Sequence, residues 1–584
     1  MEYWVIKNKK ADFKKIMEQC KISEVLARCL VNKGLEDSED IEAFLNPNMD
    51  KMHDAMLMKD MEKSCSILKE KINNHQKIRI IGDYDVDGVV STYMLYRTLR
   101  LLGAEVDYEI PDRIKDGYGI NINMVEAAYK DGVDTILTCD NGIVALEQAS
   151  LAKKYGMTVI ITDHHSLVQL EDEILLPEAD AIINPKQPDC TYPFKGLCGA
   201  AIAYKLIVAL LDRYECQDKE DYKIELLSYT AIATVCDVMD LVDENRIIVK
   251  YGLSLLKRTK NKGLSALMDA AGIEKEQLNV FHLGFVIGPC LNASGRLDTA
   301  KKGLELLLSE NENEAVELAA GVRSLNDVRK DMTLDNVDKA IKLIENSPLK
   351  DDKVLVVYLK DCHESLAGII AGRVKERFHK PTVVLTDAED CIKGSARSIE
   401  QYNMIEELSK CRDLMLKVGG HPMAAGLSLF PENIEVLRKC LNDNTILTDE
   451  MLVPKVTIDI HLPFGYITEA LIEELKILEP FGKGNEKPLF AEKDLKIKSA
   501  FIIGKNSSGI KFRLEDQYGC EMEALYFGDV NQFFSYISDA YGVEEADKLR
   551  TGRGSKIRLM ITYFPRINEY NGFKSIQLMI QNYR

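Results

Sequence analysis

Between residues 78 and 184 the chain repeats one pattern: a short apolar run, a turn, then a stretch with helical spacing. The apolar runs fall at 78–81, 106–110, 135–139, 158–162 and 181–183, and the helical stretches at 88–102, 121–131 and 145–155. Strands and helices that alternate through short loops pair as βαβ units, which give a parallel sheet covered by helices on both faces. Such a sheet receives its ligands beyond the carboxyl ends of its strands. That edge is where this chain gathers its carboxylates.

The first run leads into Gly82-Asp83-Tyr84-Asp85-Val86-Asp87-Gly88. Three carboxylates at alternate positions of a glycine-bracketed turn repel one another, so the turn calls for a cation, and carboxylate oxygens suit hard divalent ions such as magnesium and manganese. The run at 135–139 ends in Asp140-Asn141-Gly142, and the run at 158–162 ends in Asp163-His164-His165. Further on, the helical stretch 231–235 enters Cys236-Asp237. Any single aspartate after a strand is most often a helix N-cap. Three strand ends marked in this way are much harder to attribute to chance. Asp85, Asp87, Asp140, His164 and Asp237 supply enough oxygen and nitrogen ligands for two divalent ions sharing one carboxylate.

At 584 residues the chain calls for two to four domains. Residues 1–50 read as short helices, and 51–308 contain the alternating segment followed by a helical stretch from about 196. Residues 309–348 read as a connector helix whose apolar positions, among them Leu318, Val322, Leu325, Met332, Val337, Ile341 and Ile344, recur mostly three or four apart. A second α/β unit is expected over 349–448. From 449 to 584 the pattern turns to strands. Leu495 and Ile497 alternate with Lys496 and Lys498, and Ile510, Phe512 and Leu514 with Lys511 and Arg513. One apolar and one basic face fit a five-stranded barrel such as an OB-fold.

A net charge of −18 argues against coating nucleic acid by bulk electrostatics, without excluding a nucleic-acid enzyme whose groove is locally basic. The 14 cysteines form no CxxC pair, which favours reduced thiols over a zinc ribbon or a disulfide framework. Neither a signal segment at Met1-Glu2-Tyr3-Trp4 nor a bilayer-length apolar run is present, so a cytoplasmic protein without membrane attachment is expected.

Taken in order, Asp83-x-Asp85-x-Asp87-Gly88, Asp140-Asn141-Gly142, Asp163-His164-His165 and Asp237 resemble the DHH phosphoesterase superfamily, and within it the branch of single-strand-specific 5′ to 3′ DNA exonucleases. The likeness covers nearly the whole chain. Gly288-Pro289-Cys290-Leu291-Asn292-Ala293-Ser294-Gly295-Arg296-Leu297, the His363 region leading to Gly372-Arg373, Gly394-Ser395-Ala396-Arg397-Ser398 and Gly419-Gly420-His421 look like further signatures of that branch. The turn Leu478-Glu479-Pro480-Phe481-Gly482-Lys483-Gly484-Asn485 is similar to one in its terminal barrel. The fold implied is multidomain α/β: a parallel-sheet DHH domain, a long connector helix, a second α/β (DHHA1) domain and a C-terminal OB-fold β-barrel.

The resemblance also implies roles. Two ions, Mn2+ or Mg2+, would be held by Asp83, Asp85, Asp87, Asp140, His164 and Asp237, with Asp140 bridging, Asp85 on one ion and Asp87, His164 and Asp237 on the other. Whether Asp83 is itself a ligand or supports one stays open. His165 would donate to a phosphoryl oxygen, with Asp163 orienting an imidazole. Substrate would be bound by Arg113, Tyr118, Asn292, Arg296, Arg373, Ser395, Arg397, Gly419, Gly420 and His421. The implied partner is single-stranded DNA with a 5′ end, accompanied by a helicase and a single-strand-binding protein, and a monomer is expected. Lys496, Lys498, Lys511 and Arg513, near Phe501, Tyr526 and Phe527, suit a strand-tracking groove, the alternative being that they only solvate an exposed face.

Two positions depart from the pattern. Cys290 stands where relatives often carry arginine, and Ile81 where many in the wider superfamily carry histidine. A phosphodiesterase of the same superfamily acting on short oligonucleotides or cyclic dinucleotides, and a non-enzymatic scaffold of the same fold, are the rival readings.

Overall fold

Short, largely apolar runs form stable strands when both faces are covered, and the computed structural model gives that setting to four of the five, the edge strand Val106–Glu109 being half-buried throughout. It describes residues 2–584 except 171–172, 505–507, 553–555 and 571. Two units are resolved, Met49–Pro454, and Met1–Asn48 with Lys455–Arg584.

In the first unit the strands are ordered Val106–Glu109, Ile78–Ile81, Thr135–Cys139, Thr158–Thr162, Ala181–Ile183, all parallel. In chain order this is 2-1-3-4-5, so the order reverses between the strands that end at Ile81 and at Cys139. That reversal opens a crevice at the carboxyl edge. Helix Gly199–Leu211 is apolar along nearly its whole length and almost entirely buried, and helix Lys219–Cys236 packs with it in the same core. Helix Gly288–Leu297 follows, then the long helix Glu312–Glu345, capped by Asn311.

Beyond that helix lies a second, mixed sheet in the order Met415–His421, Ala424–Leu429, Ile392–Arg397, Thr382–Asp387, Leu355–Tyr358, in which only the last two strands are parallel. Cys411 and Cys440 are joined in a disulfide with 6.6 Å between their Cα atoms, which corrects the expectation of reduced thiols throughout. Cys411 caps helix Met404–Lys410 and Cys440 lies in helix Ile434–Asp443, and both ends meet in this domain's core.

In the second unit the C-terminal strands close on themselves. Phe490–Ile503 pairs with both Gly509–Glu515 and Arg558–Tyr570, and Glu521–Tyr526 and Phe573–Tyr583 complete a five-stranded barrel. The N-terminal residues are not all helical as expected, because Tyr3–Ile6 is a strand paired in parallel with Lys455–Ile458. The helices that follow it contribute Leu26, Leu30 and Ile41 to the barrel's core. No helix among the described residues is long and apolar enough to cross a membrane.

Candidate metal centre

The crevice opened by the strand order is lined by the acidic turns. Asp85 is the N-cap of helix Val86–Leu101, and its Oδ1 accepts from the amides of Asp87 at 2.9 Å and Gly88 at 3.2 Å. Capping and ion binding are therefore compatible at this residue, since the cap engages Oδ1 alone. Asp87 turns into the core, where its two oxygens accept from the amides of Gly199 at 2.6 Å and Ala200 at 2.7 Å. These are the first amides of helix Gly199–Leu211, the positive end of its dipole. A Cβ at residue 199 would lie 2.6 Å from the Cβ of Asp140, so only glycine lets that helix end approach so closely. Asp83 Oδ1 accepts from Gly119 N at 3.2 Å.

Asp140 is not a cap. Its backbone is left-handed (φ 61°), its amide donates to Thr162 O at 3.0 Å and its carbonyl accepts from Tyr118 Oη at 3.0 Å. That conformation, sparse for a residue other than glycine, brings its carboxylate to His164. His164 Nε2 lies 3.2 Å from Asp140 Oδ1, 3.6 Å from Asp237 Oδ2 and 3.8 Å from Asp87 Oδ2. Donor atoms of Asp83, Asp85 and Asp140 lie within 4.8 Å of one another, as do those of Asp87, His164 and Asp237, and of Asp140, His164 and His165. All six residues expected as ligands, Asp83 among them, converge here.

The electrostatics show what the cluster lacks. Burial first, then the neighbouring carboxylates, push Asp83 and Asp237 up to about 8 and Asp87 up to about 6, and raise Asp140 well above the ordinary range. Burial and the adjacent His165 bring His164 down to about 3, which leaves the neutral imidazole a ligand requires. Asp140 Oδ1 and His164 Nε2 are buried and have no hydrogen-bond partner. Unsatisfied acceptors among mutually repelling acids fit divalent cations.

Asp163 behaves differently. Its Oδ1 accepts from the amides of His164 at 2.7 Å and His165 at 3.0 Å and lies 2.8 Å from His165 Nδ1, while Oδ2 accepts from Ile143 N at 2.9 Å. Burial, the largest single influence, would raise it, but the bond to the His165 ring, the charge of that ring and the amides of His165 and Ile143 together hold it below the usual carboxylate range. Burial, the largest single influence, would lower His165, but the bond to Asp163 with the charges of Asp163, Asp237 and Asp87 together raise it.

Beside this cluster arginines gather. The Arg113 guanidinium stacks on Tyr84, with Cζ 4.0 Å from the ring centroid, and its buried Nε has no partner. Arg296 is brought down to about 9 by burial, then by the charges of Arg113 and Arg329. Its Nη1 donates to Ser365 O at 2.6 Å, and Ser365 Oγ donates back to Arg296 O at 3.1 Å. This link reaches the helix Ala367–Phe378 of the second sheet, where Arg397 and Ser395 lie over Gly368. Arg397 Nη1 donates to Ala396 O at 2.8 Å.

The chain matches the DHH family N-terminal domain over residues 77–234, the DHHA1 domain over 351–445 and the RecJ OB domain over 458–582. It is 38% identical to the single-stranded-DNA-specific exonuclease RecJ of Bacillus subtilis, over 99% of this chain and 70% of that one. The chain belongs to the RecJ family. A crystal structure of RecJ from Thermus thermophilus in complex with Mn2+ shares its fold, with a TM-score of 0.82 at 24% identity over 100% of this chain and 79% of that one. A structure of exonuclease RecJ bound to manganese, 29% identical, superposes with a TM-score of 0.57 over 66% of this chain and 94% of the other.

Other residues expected at a RecJ site are placed less centrally. Asn292 is half-buried on helix Gly288–Leu297, and Arg373 is exposed on helix Ala367–Phe378. Gly419, Gly420 and His421 are exposed at the end of the edge strand Met415–His421, so they belong to a strand rather than a free loop. Cys290 is buried, with Asn326 Nδ2 3.4 Å from its Sγ, and Arg323 and Arg329 of the long helix act on the thiol. Ile81 is core.

The barrel's basic face differs from the expectation. Lys498 is within 2.6 Å of Glu515 and 3.4 Å of Glu521, Lys511 within 2.8 Å of Glu523, and Arg513 within 2.6 Å of Glu521. Lys498, Lys511 and Arg513 of the expected row thus form an ion-pair ladder between neighbouring strands rather than a bare basic groove. Phe501 and Phe527 are exposed, whereas Tyr526 is half-buried. Two contributors escaped the sequence reading: Arg329, hidden in an ordinary amphipathic pattern, and the Gly199-Ala200 amides, which no side-chain motif marks.

Proposed function

We propose that this chain is a metal-dependent exonuclease that hydrolyses single-stranded DNA from its 5′ end. The observation that carries the reading is the pair of buried, unpartnered donors, Asp140 Oδ1 and His164 Nε2, set among carboxylates that burial and mutual repulsion raise. Asp83, Asp85 and Asp140 would hold one cation, and Asp87, His164 and Asp237, with Asp140 shared, a second. Bound divalent cations supply neutralisation of phosphoryl oxygens and a water acidic enough to attack phosphorus near neutral pH.

The chain's own groups do the rest. The first amides of helix Gly199–Leu211 fix the Asp87 carboxylate, so its orientation does not depend on solvent. Asp163 holds His165 and favours its protonated form, which lets the imidazole donate to a phosphoryl oxygen as charge develops there. Tyr118 Oη, 2.9 Å from His165 Nδ1 and bonded to the Asp140 carbonyl, ties the histidine to the bridging aspartate. Arg113 and Arg296, with Ser395 and Arg397 from the second sheet, would hold the phosphates, arginine's planar fork matching phosphate geometry. A terminus held between the two sheets would favour a single-stranded 5′ end over a paired one.

The ion-pair ladder on the barrel removes one argument against a short-oligonucleotide phosphodiesterase, so the test must include substrate length. Manganese-dependent digestion of end-labelled single strands, duplexes and dinucleotides checks strandedness, polarity and length together. Release of mononucleotides from the 5′ end of long single strands, with duplex resistant, is expected. Preference for dinucleotides over long strands would overturn the reading.

A further inference from the structure

The turn that ends in Asp237 is built against an unusual neighbour. Cys236 Sγ lies 3.5 Å from the carbonyl of Leu283, and a Cβ at Gly288 would lie 2.3 Å from that sulfur. Between these two contacts, Leu283–Ile287 is a π-helical turn, a rare form found mostly at functional sites. Within it Leu283 and Ile287 are buried while Phe285 is exposed. One turn earlier, Phe281 also faces solvent. The two side chains are 60% and 67% exposed, and their rings are stacked, with centroids 5.1 Å apart and planes 21° apart. Val238, the residue after Asp237, is left-handed (φ 55°) and 60% exposed. A β-branched residue in that region is strained.

Two stacked, solvent-facing phenyl rings forgo the stabilisation that burial would give them. Here they rise from the turn packed on the end of the helix that carries a candidate metal ligand. We propose that Phe281 and Phe285 form a stacking platform for an unpaired nucleobase of the single strand whose backbone the metal centre holds. The inference rests on the single-strand reading above. Apolar ring faces accept any base, because every base has a π face, and a nuclease that degrades strands of any sequence needs contacts of that kind. The turn that carries the rings packs directly on residues 235 and 236, immediately before Asp237: Cys236 Sγ is 3.5 Å from Leu283 O, and a Cβ at Gly284 would lie 3.4 Å from Val235 Cγ1. Neither ring has a polar atom that could select one base.

The test measures binding of 5′-phosphorylated single strands with hydrolysis-resistant linkages in the presence of Mn2+, using a fully base-bearing strand and a series with one abasic position each. F281A/F285A is expected to bind the base-bearing strand about 10-fold or more weakly, the effect of losing one base stack. One abasic position should weaken wild type by a similar factor and leave F281A/F285A indifferent. F281Y/F285Y, which keeps both rings, should restore affinity and the abasic response. Undiminished affinity in F281A/F285A, as a protein-docking role would give, overturns the platform. So does an abasic penalty identical in wild type and variant at every position. Wild type that neither binds single strands nor digests them with manganese would overturn the single-strand reading together with the platform, whereas normal digestion with unaffected variants removes the platform alone.

Discussion

The metal centre and the outer face of the barrel are both dense in charge, and they resolve it in opposite ways. At the centre, like charges are buried together and Asp140 and His164 keep donor atoms without partners. On the barrel, opposite charges face each other across neighbouring strands, and Lys498, Lys511 and Arg513 each have a glutamate in reach. Exposed pairs of that kind contribute little and ask for nothing further. Buried acids without countercharge are costly, and they persist where a ligand offsets them. Unsatisfied charge, more than charge density, marks the functional region.

The comparison breaks most readily at Asp140. Replacing it with asparagine should lower turnover on the order of 10³-fold or more, since the cations it would share supply several kcal/mol of transition-state stabilisation. The metal-free protein should melt no lower than wild type, because a repelled buried acid has been neutralised. Parallel rate and melting measurements decide. A variant that melts early but turns over normally once folded would show Asp140 to be structural.

A second test uses pH. In the metal-free fold Asp83 and Asp237 are raised to about 8 from an ordinary value of 3.8. The folded state therefore keeps protons that the unfolded chain loses, and their favourable contribution is complete below about 4 and lost as pH rises through about 8. Cations compete with those same protons. The rise in melting temperature on adding Mn2+ should accordingly be larger at pH 9 than at pH 6. A rise that does not depend on pH would mean that the ion binds elsewhere.

The parallel sheet and its acidic edge were readable from residue order because short apolar runs and their flanking carboxylates are both local signals. Asp85, Asp87, Asp140 and Asp163 each follow a strand closely enough for the pattern to show. What holds Asp87 was not readable, since backbone amides at Gly199 and Ala200 leave no side-chain signature 112 residues away. Tyr3–Ile6 was missed because four residues with no alternation carry no strand period, and the partner strand begins at Lys455. The barrel's lysines were seen and their glutamates were not. Their pairing depends on strand register, which periodicity along one strand cannot supply.

The dyad of Asp163 and His165 gives an effect of intermediate size. Asp163→Asn should reduce turnover about 10- to 100-fold, the range for a group that orients a catalytic partner. Because Asp163 leads the carboxylates that raise His165, ahead of Asp237 and Asp87, the basic limb of the kcat/KM profile should also move to lower pH. A fall in rate with no movement of that limb would confine Asp163 to holding the His164 and His165 amides.

The smallest effect is expected on the barrel, and it probes the comparison from its other side. If the ladder is satisfied charge, removing its cations should matter little, so K498A/K511A should bind long single strands nearly as wild type does. Removing its acids should matter more. E515Q/E521Q/E523Q strips the partners from Lys498, Lys511 and Arg513 and leaves the fold in place, because exposed pairs hold little of it. The freed cations should then tighten binding and steepen its salt dependence, each new phosphate contact adding about one to the slope of log K against log salt. Titrations at several salt concentrations read both quantities. If K498A/K511A instead loses affinity and slope while the glutamine variant gains neither, the cations reach DNA past their glutamates, and the barrel face would belong with the metal centre as a place where charge is kept for a ligand.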